Sequence, residues 1–175
     1  MVAKKILKTI LILTILCSNI ACDQISKNIV RHKIDYNEQI SLISKYLTLT
    51  KVENTGAFLS LGNSLPQSIK LVILIILPLL VLGFAIIYML TKNNLSNMTL
   101  IAIGFIVGGG IGNIYDRLIY GSVTDFLHIN FVIFQTGIFN MADFSVMIGM
   151  SILFGEFYFR KSNLSYNIFH KKDDI

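Results

Sequence analysis

Asp125 and Asp143 lie eighteen positions apart in an otherwise largely apolar stretch, GSVTDFLHINFVIFQTGIFNMADF, and each is followed by phenylalanine. Two carboxylates held close together do not both ionise, and they come to share one proton. The ionised member then takes a proton from water while the protonated member gives one to a carbonyl oxygen. Such a pair hydrolyses an amide without a metal or a covalent intermediate. Taken singly, each residue has a plainer role. Asp143, at the start of an apolar run, suits the N-terminus of a helix, and Asp125 suits a wet turn or strand edge.

Other polar residues could support the pair. Asn113 in GGGIGNIYDR and Asn140 in IFNMAD are amides able to hold carboxylates or a substrate backbone, or to join helices. Asp116 and Arg117 read either as an interfacial ion pair or as groups orienting the loop beneath the aspartates. Asp23 and Lys27 stand one helical turn apart, acid before base. Asn54 and Gly56 by themselves mark a turn. His128 lies three residues from Asp125, but only His32 and His170 remain as further imidazoles, and there is no HExxH. A catalytic zinc wants three protein ligands, so no metal and no other cofactor is expected.

The elements that position these groups belong in a membrane. Hydrophobic residues make up 54% of the 175 and charged residues 14%, against about 25% charged in soluble domains. The net charge is +5, but the basic residues gather at the ends of apolar runs, as topology anchors do. A nucleic-acid surface is not expected. Four apolar spans stand out, about 6–22, 69–90, 98–115 and 138–159, within one membrane-embedded domain. Pro78 interrupts the second span, and glycines 104, 108, 109, 110 and 112 in the third predict close helix packing. The first span, with its lysines and NIAC ending at Cys22, also looks like a lipoprotein signal peptide. However, Asn19 stands where an aliphatic residue belongs, and three more spans follow, so it reads as a retained helix. Cys17 and Cys22 fall on different faces of that helix and form no disulfide framework.

The regions 23–68 and 116–137 are more polar. Tyr46–Val52 and Phe126–Phe134 alternate with period two, which predicts strands in a small sheet on the membrane surface. Lys4, Lys5, Lys8, Lys92, Arg160, Lys161, Lys171 and Lys172 crowd into short segments. Lys27, Arg31, Lys33, Lys45, Lys51 and Arg117 are spread over long ones. That density places both termini in the cytoplasm and Asp23, Asp116, Asp125 and Asp143 near the outer surface. A transporter would also keep acids in the membrane, but the second and third spans offer no charged path, and Glu156 lies at the opposite end from Asp143. The end of the chain, Asn163–Ile175, reads as a solvated cytoplasmic tail.

Five motifs in chain order resemble those of the lipoprotein signal peptidase family, signal peptidase II, a family of aspartic membrane peptidases. They are Asp23-Gln24-Ile25-Ser26-Lys27, Asn54-Thr55-Gly56-Ala57-Phe58, Gly109-Gly110-Ile111-Gly112-Asn113-Ile114-Tyr115-Asp116-Arg117, Val123-Thr124-Asp125-Phe126 and Phe139-Asn140-Met141-Ala142-Asp143. The resemblance covers nearly the whole chain. It implies a mainly α integral membrane fold, with four transmembrane helices and a small periplasmic β-sheet and loop. It implies an aspartic endopeptidase, a monomer in the bacterial cytoplasmic (inner) membrane. The implied substrate is a diacylglyceryl-modified prolipoprotein, cut just before its lipidated cysteine, and a globomycin-type inhibitor is expected to block the site. Asp125 and Asp143 match the family's catalytic pair. Asp23, Lys27, Asn54, Gly56, Asn113, Asp116, Arg117 and Asn140 match positions that line or support the site.

Overall fold

The computed structural model describes residues 2–36, 38–57, 61–131 and 133–170, with side chains described as far as Phe159 in the last helix. Phe58 of the second motif and the last five residues of the tail lie outside the described residues. Among the described residues, four helices are long and apolar enough to cross a membrane: α1 Val2–Lys33, α2 Gln67–Thr91, α3 Asn97–Tyr120 and α4 Met141–His170. Three strands, β1 Gln39–Ile43, β2 Leu47–Asn54 and β3 Val123–Ile129, form one antiparallel sheet in the order β1-β2-β3.

Helix α1 continues eleven residues past the apolar span read from sequence. The reason is a polar stripe on its inner face. Ile12, Ile15, Asn19, Asp23, Lys27 and Val30 are its buried residues, at three- and four-residue steps, the repeat of one helix face. Helix α2 absorbs Pro78 by widening. A proline lacks the N–H that would bond four residues back, and its ring crowds that carbonyl. Just upstream, Val72–Ile76 is π-helical, and the Leu77 N–H reaches the Val72 carbonyl five residues back. Helix α3 is capped by Ser96, whose hydroxyl oxygen accepts from the Thr99 N–H at 2.9 Å. The Ser96 and Thr99 hydroxyls both donate to Glu156 of α4, at 2.5 and 2.6 Å. Glu156 therefore sits against the positive end of α3.

Helix α3 is the hub, and its glycines let three partners approach. A Cβ at Gly104 or Gly108 would meet Ile15 or Asn19 of α1; at Gly110, Leu82 of α2; at Gly109, the Ala142 carbonyl of α4. Gly112 faces both α1 and α4, through Asp23 and Ala142. Around this helix a core of Ile12, Leu82, Met89, Leu100, Val107 and Ile114 is closed off. Gly109→Ala would push its Cβ onto the Ala142 backbone carbonyl, where no flexible side-chain end can yield. Overpacking of this kind costs about 1–3 kcal/mol, so the variant is expected to melt several degrees lower in detergent, with Gly83→Ala, which meets nothing within 4 Å, as the control.

The sheet joins the bundle at one end. β2 matches the expected strand and runs on to Asn54. β3 begins at Val123, three residues earlier than its alternation suggests, and stops at Ile129, where the chain turns back. The Thr136 N–H then bonds the Ile129 carbonyl, and the Phe139 N–H bonds that of Leu127. β1, at the edge, was not expected. One sheet face carries Ile40, Leu49 and Leu127 onto Val30 and Ile34 at the end of α1.

Candidate active site

Asn140 is the N-cap of α4, and Asp143 is the third residue of that helix. The Asp143 N–H donates to Asn140 Oδ1 at 2.9 Å, and the Asn140 N–H donates back to Asp143 Oδ2 at 3.2 Å. This reciprocal pair is a capping box. Asp143 thus caps the helix, and the cap also fixes its carboxylate. Its other oxygen, Oδ1, accepts from Asn113 Nδ2 of α3 at 2.8 Å.

Asp125 comes from β3, whose pairing sets Asp125 opposite Val52 and brings Asn54, at the end of β2, alongside. Asn54 Nδ2 donates to Asp125 Oδ2 at 3.0 Å, and Asn140 Nδ2 donates to Oδ1 at 2.6 Å. Asn140 therefore holds one carboxylate through its side chain and the other through its backbone. Asp125, Asp143, Asn54, Asn113, Arg117 and Asn140 line one cleft, walled on the apolar side by Val123 and Ile138. Its free volume is about 20 Å³, room for a water molecule.

Burial pushes the Asp125 carboxyl up from the usual 3.8 to about 6. The hydrogen bond from Asn54 opposes that shift, and the nearby Asp143 charge adds to it. A group that must donate a proton works only below its pKa. As pH rises through about 6, Asp125 loses its proton, and kcat/KM, which reports the free enzyme, is expected to fall about tenfold per pH unit. A pH profile of kcat/KM flat from 5 to 8 would contradict this.

Beneath the cleft, charges are buried and paired. Lys27 is fully buried, and its ammonium meets Asp23 Oδ2 at 2.8 Å, Asn113 Oδ1 at 2.9 Å and Asp116 Oδ2 at 3.0 Å. The first two are hydrogen bonds and the third is an ion pair. Asp23 Oδ1 accepts the Ala142 N–H at 2.8 Å, a second free donor at the start of α4. Asp23 thus ties α1 to the helix end that carries Asp143. Asp116 faces Lys27 and, at 2.9 Å, Arg31. It does not face Arg117, since successive helix residues point about 100° apart. Arg117 instead donates to the Gly56 carbonyl at 2.9 Å and to that of Asn113 at 3.4 Å. Asn54 Oδ1 accepts the Gly56 N–H at 2.9 Å, so the expected turn exists and is pinned to the cleft from both sides.

All ten residues singled out in the sequence therefore meet in one network. Three more belong to it. Arg31 lies over the Tyr120 ring at 3.9 Å and donates to Thr124 Oγ1 at 2.8 Å. Thr124 in turn donates to Glu53 at 2.9 Å, which holds β3 to β2. Gln24 bridges Asp23 and Asp116 at 3.0 and 3.1 Å. The four-residue steps Asn19, Asp23, Lys27 and Arg31 carry a signal for Arg31. Gln24 and Thr124 stand inside two of the five motifs, but their residue types alone carry no signal for these contacts.

The chain is similar to known proteins over most of its length. The family model described as signal peptidase (SPase) II matches residues 15–159. A lipoprotein signal peptidase of Aquifex aeolicus (strain VF5) is 31% identical over 154 residues, 88% of this chain and 89% of its own. One of Streptococcus agalactiae serotype V is 35% identical over 156 residues, covering 89% of this chain and 96% of its own. A bacterial membrane enzyme solved by the in meso method at 2.3 Å superposes with a TM-score of 0.78 at 24% identity, over 87% of this chain and 90% of that one. A second, at 1.9 Å, gives 0.74 at 23% identity, over 83% and 91%. These two show the fold. With the family model matching residues 15–159, most of the chain, the chain belongs to the signal peptidase II family.

Proposed function

We propose that this multi-pass membrane peptidase removes signal peptides from lipoproteins, with Asp125 and Asp143 as its catalytic pair. The observation that carries the assignment is the single cleft onto which Asn140 fixes both carboxylates. Asp125, whose carboxyl burial pushes up, acts as the proton donor, and Asp143 acts as the base. Asp143 takes a proton from water as the water oxygen attacks the scissile carbonyl carbon. Asp125 gives its proton to the carbonyl oxygen. When the tetrahedral intermediate collapses, Asp143 passes the proton it took from water to the nitrogen, Asp125 takes one back from a hydroxyl of the intermediate, and the C–N bond breaks. The products are a carboxylate on the signal peptide and a free α-amine on the next residue. Asn54, Asn113, Asn140, Gly56 and Arg117 hold the pair and the substrate backbone. Asp23, Lys27 and Asp116 fix the helices beneath.

That next residue is the lipidated cysteine. The cleft lies where β3 and the start of α4 meet, at the end of the spans and not at their middle. A diacylglyceryl group pins its cysteine at that depth, whereas an unmodified signal peptide slides. Positioning of this kind lowers a barrier by several kcal/mol. One precursor in lipidated and unlipidated forms is to be compared in the same bilayer. The lipidated form is expected to be cut at least about 100-fold faster, just before the cysteine by mass. Equal rates would point to a general intramembrane protease.

The site faces the outside of the bacterial cytoplasmic membrane, with both termini inside. Supporting this, the start of α1 and the α2–α3 turn lie together, with the Lys8 ammonium donating to the Lys92 carbonyl, at the basic end of the bundle. Reporter fusions after Lys92 should read as cytoplasmic and fusions at Lys45 as external. The cleft acts in a monomer and is the site a globomycin-type inhibitor would fill.

A further inference from the structure

The sheet has two unlike faces. One packs on α1. The other is polar across all three strands, and the pairing register shows why. Gln39 of β1 pairs with Thr50 of β2, and Ser41 with Thr48. Thr48 pairs in turn with His128 of β3. Paired residues share a face, so Gln39, Ser41, Thr48, Thr50 and His128 form one surface. With Thr136 and Ile138 of the returning chain they line an open trough of about 620 Å³. Ile138 lines both this trough and the cleft that holds Asp125 and Asp143. The trough and the candidate active site are therefore neighbours, with Ile138 between them.

We propose that this trough binds the first residues of the mature lipoprotein, those that follow the cysteine, as an extended strand. The inference rests on the peptidase reading above and adds a binding site to it. A substrate has two arms at the scissile bond. The signal-peptide arm is apolar and belongs among the spans. The mature arm is polar and lies in water. The trough sits outside the spans, and its hydroxyls, amide and imidazole suit an exposed peptide backbone, which carries one donor and one acceptor per residue. Crossing three strands about 4.8 Å apart covers roughly 10 Å, the reach of about three extended residues. The trough therefore reads backbone more than side chains, which lets one enzyme process many lipoproteins.

The test uses two lipidated precursors with the same signal peptide. One ends two residues after the cysteine; the other continues for eight. They are offered to the full-length enzyme and to the Thr48→Leu and His128→Leu variants, whose side chains face the trough and leave the aspartate pair untouched. For the unaltered enzyme, kcat/KM is expected to be about tenfold higher for the long precursor, a difference carried in KM by a few hydrogen bonds. In both variants that ratio should fall toward one, with the rate on the short precursor unchanged. Equal rates for the two precursors with the unaltered enzyme would overturn the proposal, as would a tenfold ratio that survives both substitutions. No cleavage of either precursor would overturn the peptidase reading and this proposal with it.

Discussion

Asp125→Asn and Asp143→Asn are each expected to lower turnover of a lipidated precursor by at least about 10³-fold, the scale of a lost general acid or base acting in a coupled unit. Asparagine is close in size and polar, so the fold should survive. At 143 it keeps the N–H that Asn140 Oδ1 accepts and one oxygen for the Asn140 N–H or Asn113. The lost hydrogen bond costs about 1 kcal/mol. Capping and catalysis therefore separate cleanly. A residue that only capped α4 would show a small stability loss and near-normal turnover. Thermal unfolding in detergent, measured beside the cleavage rate, distinguishes the two, and near-normal turnover in either variant would refute the pair.

The second large effect concerns Lys27. Lys27→Met keeps much of the side-chain volume and removes the charge. Asp23 and Asp116 are then left buried without the cation they share, although Asp116 retains Arg31. Breaking a buried ion pair by deleting one partner costs about 3–5 kcal/mol. The loss should also reach the cleft, because Asp23 holds the Ala142 N–H at the start of α4 and Lys27 holds Asn113, which in turn holds Asp143. A lower melting temperature and reduced turnover are expected together. Replacing Asp23 by Asn in the same chain should recover part of the stability, since one stranded charge is gone. A Lys27→Met protein as stable as the parent would show that the network is not held by this cation.

The four spans, the outer sheet and the cluster of polar residues were legible because each leaves a local mark. The marks are uncharged runs, period-two alternation, and acids where lipid-facing sequence has no use for them. The departures have separate causes. The continuation of α1 to Lys33 depends on Asp23 and Lys27 finding Asp116, Asn113 and the start of α4. Those partners lie far along the chain, so a hydropathy window ends the span at the first charge. Of the two roles open to Asp116 and Arg117, the mutual ion pair is not formed, because helix geometry turns Asp116 toward Lys27 and Arg31. Strand β1 has one half-buried residue, Ile40, and four exposed ones, so it carries too little alternation to stand out. Phe131–Phe134 continues an alternating pattern that the fold does not use. The chain reverses there, with the Phe131 N–H bonded to the Phe134 carbonyl at 2.8 Å. The paired aspartates needed both kinds of information. Their chemistry is local, but the cleft they share exists only because Asn140, Asn54 and Asn113 arrive from three different elements.

That Asp125 and Asp143 act as one unit is tested most directly by single-turnover cleavage of one lipidated precursor with excess enzyme, comparing the Asp125→Asn/Asp143→Asn double variant with each single variant. Groups that share one proton fail together, so losses in such a unit do not multiply. The expected result is a double variant no slower than about threefold below either single, with all three far below the unaltered enzyme. A double variant slower by the product of the two separate losses, or a single variant close to the unaltered enzyme, would mean that the two carboxylates do not share the chemistry.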